Sequence, residues 1–218
     1  MDRREHYAER GYVPLPGLTP PEVAASMTFQ AQVGQKRPNG PALANPNVSC
    51  LPTIELYGYA WPTLLGLHWG LTSIVAEAAG VALLPSYAYF RTYQQGDRCK
   101  VHIDRPSCEH SLSLTIGYAD GLPWALCIGA RDWSIEEMQA EPMAADFGQE
   151  AFAAIEMQPG DGVLYKGVVR RHGRVAPNPN RWSAHLFLHW VERDGPNALW
   201  AFDRQKVVAD GDFRFTTG

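Results

Sequence analysis

With 218 residues and a formal net charge of −4, the chain is long enough for one domain with a full core and lacks the basic surplus of a duplex-binding protein. Composition is that of a globular protein, 45% hydrophobic and 19% charged, and no stretch has the length and apolarity of a signal-peptide core or a membrane span. The expectation is a soluble, cytoplasmic protein with no membrane or nucleic-acid partner.

Residues 3–10 (RREHYAER) read as a short helix, followed by a brief strand from Gly11 to Leu15 that stops at a Pro/Gly turn. Thr19-Pro20-Pro21-Glu22 has the form of a capping box with Pro in the first turn, and predicts a helix running to about Gln32. Residues 34–53 are rich in Gly, Pro and Asn and predict a long loop, either a lid over a site or a plain connection. Over 62–79 the apolar positions Leu64, Leu67, Leu71, Ile74, Val75 and Ala78 recur at the helical period, with Pro62 opening the helix and Gly80 closing it. His68 and Trp69 within it are assigned to packing.

After Pro85 the texture changes. Short β-prone runs at 87–94, 112–118, 124–128, 162–165 and 182–191, with another at 199–202, are separated by Gly-, Pro- and Asn-rich turns. Residues 133–154 predict one or two surface helices, with Ser134 as a cap. Helices first and strands afterwards predict a mostly β fold with flanking helices, a sandwich or barrel buttressed by its N-terminal part. One domain is expected over 1–218, helical to about 80, with the β core at about 81–205. The cysteines Cys50, Cys99, Cys108 and Cys127 form no CxxC pair, which disfavours a zinc ribbon or a thioredoxin motif and leaves ordinary reduced thiols. Cys99 and Cys108, near the chemistry described next, are expected to be vulnerable to oxidation.

The chemistry centres on His102-Ile103-Asp104. On extended backbone, residues two apart face the same way, so an imidazole nitrogen and a carboxylate oxygen aim at one point. They are two of the three ligands of a 2-His-1-carboxylate iron site. Among the later histidines, His110 is too close in sequence to His102 to reach the same point from another strand. His185 and His189 share the parity of Ser183 and Phe187 and read as barrel-interior groups. His172, between a strand-like stretch and a turn, is the expected third ligand. Arg181 and Ser183, two apart, form a socket for the far carboxylate of a dicarboxylic acid.

The ordered set Tyr93-x-x-Gly96, His102-x-Asp104, Pro159-Gly160-Asp161, His172 and Arg181-x-Ser183, with the closing run Phe187-Leu188-His189-Trp190-Val191, resembles the Fe(II)/2-oxoglutarate-dependent dioxygenase superfamily, in its prolyl 4-hydroxylase-like branch. The resemblance spans about residues 87–191. It implies a double-stranded β-helix, a jelly-roll of cupin type, with Fe(II) on His102, Asp104 and His172. It also implies 2-oxoglutarate as cosubstrate, held by Arg181, Ser183 and a hydrogen bond from Tyr93, with O2 as oxidant and succinate and CO2 as products. Asp104 favours hydroxylation, since related halogenases lack this carboxylate. One departure concerns the strand after Asp104: its inward parity falls on Ser111, Ser113, Thr115 and Gly117, with Tyr118 out of phase, so a pocket lined by hydroxyls is expected. Arg91, Arg105, Trp124 and Arg174 are candidate contacts to a small-molecule or peptide substrate. Two other readings are a cupin-like metal protein without 2-oxoglutarate chemistry and a catalytically inactive β-helix that binds a ligand.

Overall fold

The computed structural model describes residues 2–204; the end of the expected domain lies outside the described residues. Helix α1 (Arg3–Arg10) carries one buried side chain, Tyr7, and closes on Gly11 in the left-handed conformation. Strand β1 (Tyr12–Leu15) leads into α2 (Pro21–Gly34). Here the expected cap is not made. Pro20 takes the capping position, and Thr19 instead gives its backbone N–H to Gly160 O at 3.0 Å. Gly160 sits at φ 99°, and a Cβ there would come within 2.5 Å of Thr19 O. Asp161 completes this clamp by accepting from the Gly17 and Gln158 N–H groups, so the Pro-Gly-Asp motif fastens the N-terminal segment to the β core.

The segment 34–53 is not all loop: β2 (Ala42–Ala44) pairs antiparallel with β3 (Thr53–Tyr57). Its remainder is tied down by Asp97, which accepts from the Cys50, Leu51 and Arg98 N–H groups. Helix α3 (Pro62–Ala79) has the predicted bounds and ends on Gly80 at φ 76°. Then come β4 (Leu83–Gln94), β5 (Cys99–His102), β6 (His110–Tyr118) and β7 (Leu126–Asp132). The insert predicted as helical is only partly so. Ser134 caps α4 (Ile135–Ala140), but β8 (Met143–Ala144) and β9 (Phe152–Ile155) follow it. The chain continues as β10 (Gly162–Tyr165), β11 (Arg170–Arg174) and β12 (Trp182–Glu192). The strand expected at 199–202 is instead part of a kinked 3-10 stretch, Ala198–Arg204.

The strands form two antiparallel sheets, β1-β10-β6-β12-β4-β3-β2 and β8-β5-β11-β7-β9. The larger sheet divides its side chains by parity. Leu112, Leu114, Ile116, Leu186, Leu188 and Trp190 pack outward against Met27, Leu64, Leu71 and Val75 of the helices. Each buried aliphatic side chain there contributes about 1.5–3 kcal/mol. The opposite parity sends Ser111, Thr115, His185, Phe187 and His189 inward, where Val163 and Tyr165 of β10 meet Leu126 and Ile128 of the smaller sheet. A bulge between β6 and β12 changes the phase near Gly117. Gly117 pairs with Ala184 on the helix side, and Tyr118 turns inward with Ser183. No helix among the described residues is long and apolar enough to cross a membrane.

Candidate active site

The smaller sheet brings its two histidines face to face. His102 ends β5 and pairs directly with His172 in β11, their ring centroids 4.4 Å apart. Each Nδ1 lies against the carbonyl two residues earlier, Lys100 O at 2.8 Å and Arg170 O at 2.9 Å. Those carbonyls require Nδ1–H as donor, which leaves the Nε2 lone pairs free and aimed at Asp104. Asp104 Oδ1 stands 3.6 Å from His102 Nε2, and Oδ2 stands 3.5 Å from His172 Nε2. These gaps are long for charge-assisted hydrogen bonds; two donors bonded at about 2.1 Å to one tetrahedral ion stand about 3.4 Å apart. The donor set, with all atoms within 4.8 Å of one another, therefore fits a divalent metal.

Protonation agrees with that use. Burial works against the Asp104 carboxylate, but His172 and His102 beside it hold its pKa well below the usual range. Burial, and then His172, lower the pKa of His102. Burial also opposes charge on His172, yet Asp104 prevails and raises it, so a metal must displace that proton at mildly acidic pH.

Behind the carboxylate is a support that the sequence motifs do not announce. Ser111 Oγ lies 2.9 Å from Asp104 Oδ2 and 2.8 Å from His189 Nδ1. With the hydroxyl donating to the carboxylate, it accepts from His189 Nδ1–H. His189 Nε2, fully buried, has no hydrogen-bond partner, and burial lowers this imidazole to about 4, so it is neutral. Gly167 completes the support by close approach. Its carbonyl accepts the Asp104 N–H at 2.9 Å, and a Cβ at 167 would lie 2.6 Å from Asp104 Oδ2 and 2.5 Å from Ser111 Oγ. Parity along β12 was the available signal for His189; nothing local marks Gly167.

The triad lines a small, largely buried cavity of about 20 Å³ whose wall also includes Arg91, Tyr93, Arg174 and Phe187. Tyr93 is where the motif places it, buried, its hydroxyl accepting from Arg91 Nη1 at 3.2 Å. Arg91 is neutralised by Glu55 at 2.7 Å. Arg174 differs: only 1% exposed, it has no carboxylate partner among the described residues. One Nη donates to Trp124 O, the other lies 3.4 Å from His185 Nδ1, and the guanidinium stacks 4.7 Å above the Trp124 ring. Trp124 is buried beside Tyr93 and donates to Ala176 O.

The expected carboxylate socket does not form. The Arg181 side chain is 70% exposed and paired with Asp120 at 2.9 Å, which also accepts the Arg181 backbone N–H. Arg181 precedes the first residue of β12, so strand parity does not govern it. Ser183 is buried but occupied, donating to Asn178 Oδ1 at 2.6 Å and accepting from Asn180 Nδ2, and it holds the turn before β12 rather than lining the cavity. Tyr118, expected out of phase, instead turns inward and donates to Met157 O. Arg105 is a rim group, stacked on Tyr87 and ion-paired with Asp203. Tyr87 packs on His189 at 4.6 Å, and its other side lines an apolar groove of about 530 Å³ with Leu65, Trp69 and Phe202. Among the described residues the cysteines are free, and burial raises the pKa of Cys99, Cys108 and Cys127, which disfavours their thiolate forms.

Two facing antiparallel sheets with a 2-His-1-carboxylate triad between them define a double-stranded β-helix with a pocket whose donors fit a metal ion. No protein-family model matches the sequence, and no curated protein matches it. Solved structures do share the fold. The non-heme alpha ketoglutarate dependent epimerase SnoN from nogalamycin biosynthesis superposes with a TM-score of 0.68 at 10% identity, covering 87% of this chain and 81% of that one. HygX from Streptomyces hygroscopicus, solved with nickel and 2-oxoglutarate, gives 0.64 at 12% identity over 89% and 88%. A prolyl-4-hydroxylase from Pseudomonas putida gives 0.59 at 15% identity over 88% and 97%. The chain has the fold of Fe(II)/2-oxoglutarate-dependent oxygenases.

Proposed function

We propose that the protein is an Fe(II)- and 2-oxoglutarate-dependent dioxygenase that hydroxylates a C–H bond of a small molecule. The observation that carries this reading is one buried cavity holding both a metal-donor triad and a guanidinium, Arg174, that has no carboxylate partner among the described residues. Iron there would couple the oxidation of substrate by O2 to the decarboxylation of 2-oxoglutarate to succinate and CO2.

The chain's own residues supply the rest. His102 and His172 aim their Nε2 atoms at Asp104 because their Nδ1 protons are committed to backbone carbonyls, and metal binding takes up the lone pair of each. Asp104 remains ionised and is held by Ser111. A buried, unpaired cation is costly, so Arg174 is the group in the cavity that most needs an anion, and a dicarboxylate reaching from the metal supplies one. Tyr93 stands beside it to hydrogen-bond the same ligand. The cavity of about 20 Å³ has room for about one water, so ligand binding must move the side chains on its far wall.

Small-molecule substrates suit the likeness to SnoN, solved in complex with Fe3+, alpha ketoglutarate and nogalamycin RO, and to HygX, solved with hygromycin B. The apolar groove behind Tyr87 is where such a molecule would approach. Free thiols suit a reducing, cytoplasmic setting.

The test is anaerobic titration of metal-free protein with Fe(II) and then 2-oxoglutarate, following the weak visible charge-transfer band of the chelate. A band that requires both components supports the reading and opens a substrate screen by succinate release. Folded, iron-loaded protein without a band would refute it.

A further inference from the structure

Away from the triad, the described residues gather one more set of metal donors. His110 opens β6 with Glu109 just before it, and Glu192 ends the neighbouring strand β12, where the larger sheet meets α1. Donor atoms of the three side chains lie within 4.8 Å of one another.

Two acidic groups beside a histidine are common on surfaces, and this set differs in its histidine. His110 is 5% exposed, and its Nε2 is fully buried with no hydrogen-bond partner among the described residues. Glu192 Oε1 stands 3.5 Å from that nitrogen. Ion pairs elsewhere in the chain run from 2.7 Å, as in Arg91–Glu55, to 3.5 Å at Arg171–Glu150, so the length of this gap is not in itself the mark of a metal. It does leave the room between donors that the proposed iron ligands show, 3.5 and 3.6 Å apart.

The surroundings orient the donors as in a metal site. His110 Nδ1 lies 2.7 Å from the Tyr7 hydroxyl, and with Nδ1–H donating there the lone pair remains on Nε2. Glu109 Oε2 accepts the backbone N–H of Glu192 at 2.9 Å, which fixes that carboxylate against the opposite strand. Lys166 lies on the far side of the His110–Tyr7 contact, its ammonium 5.9 Å from the Tyr7 ring centroid.

We propose that Glu109, His110 and Glu192 bind a divalent transition-metal ion of the zinc class, separate from the iron site. One imidazole and two carboxylates suit zinc, with a fourth position open to water on the half-exposed side of Glu192. The ion would be structural: through the His110–Tyr7 contact it pins α1 to the ends of β6 and β12.

The probe is Zn(II) itself, added to full-length protein whose triad has been disabled by Asp104→Ala and His172→Ala. After dialysis, elemental analysis is expected to find one equivalent of zinc, and zinc is expected to raise the melting temperature. Adding Glu109→Gln and Glu192→Gln should abolish both effects while the fold, followed by circular dichroism, is kept. Folded triad variant that retains no zinc would overturn the proposal, as would zinc that persists after both glutamates are replaced. Should the triad variant not fold, the wild-type chain is compared with Glu192→Gln; two equivalents falling to one supports the site, and equal content refutes it. None of these readouts depends on iron binding or turnover, so the oxygenase reading can fail independently.

Discussion

Replacing Arg174 by Met removes a buried charge while nearly keeping its volume, and the structure separates its two consequences. In the free protein the guanidinium makes one hydrogen bond to Trp124 O, a long contact to His185 Nδ1 and a stack on the Trp124 ring. A hydrogen bond to a charged donor is worth about 1.5–3 kcal/mol and a desolvated cation–π contact about 2. Against these stands the several kcal/mol needed to keep an unpaired cation out of water. The terms nearly cancel, so the stability of the metal-free protein should change by no more than about 1–2 kcal/mol. In the ternary complex the balance is different, because the guanidinium then faces a carboxylate. Breaking a buried pair by removing one partner costs about 3–5 kcal/mol, which corresponds to about two to nearly four orders of magnitude in affinity. The assay is anaerobic titration of 2-oxoglutarate into Fe(II)-loaded wild type and Arg174→Met, beside thermal unfolding of both metal-free proteins. A dissociation constant within about threefold of wild type would refute the role, since about 0.6 kcal/mol cannot represent a buried ion pair. Arg181→Ala removes only an exposed contact to Asp120 and should leave the titration unchanged; a large loss there would reinstate Arg181 as the anchor.

The remaining expectations use separate readouts. His102→Ala and His172→Ala should each abolish stoichiometric iron binding, measured on folded protein, while His185→Ala and His189→Ala should retain it. Ser111→Ala leaves Asp104 as a ligand but frees its Oδ2, and should weaken iron binding about 10- to 100-fold in a competition with a chelator. Gly167→Ala drives a methyl group against Asp104 and Ser111, and should destabilise by about 1–3 kcal/mol in chemical denaturation while also lowering iron content. The pH dependence of stability has a definite sign at His68, which burial, followed by the His189 imidazole, lowers to about 3 from an ordinary 6.5. Between those values the unfolded chain binds a proton that the folded chain refuses, so stability falls as pH falls, by about 1.4 kcal/mol per unit from this group. His110 and His189, both lowered to about 4, act in the same direction, and His68→Gln should remove one proton's share of the slope.

Local rules sufficed where the physics is local. The period of Leu64, Leu67, Leu71 and Val75, with Pro62 before it and Gly80 after it, determines α3, because helical spacing and termini depend only on neighbours in the chain. The two-residue spacing of His102 and Asp104 on extended backbone likewise puts both donors on one face. Tertiary structure alone decided the rest. Both Arg174 and Arg181 stand two residues from a polar group, His172 and Ser183, yet only Arg174 lies within a hydrogen-bonded ladder. Arg181 falls one residue outside β12, where Asp120, distant in sequence, holds its backbone and side chain at the surface. Tyr118 moved inward through a bulge that no parity count contains. Ser111 and His189 meet behind Asp104 only because β6 and β12 are paired, and Gly167, in the turn before β11, is needed only because the Asp104 carboxylate, just past β5, passes within reach. Spacing along a chain determines which way a side chain points while its own element lasts. What it then meets depends on pairings between elements, whose registers are set by the core as a whole.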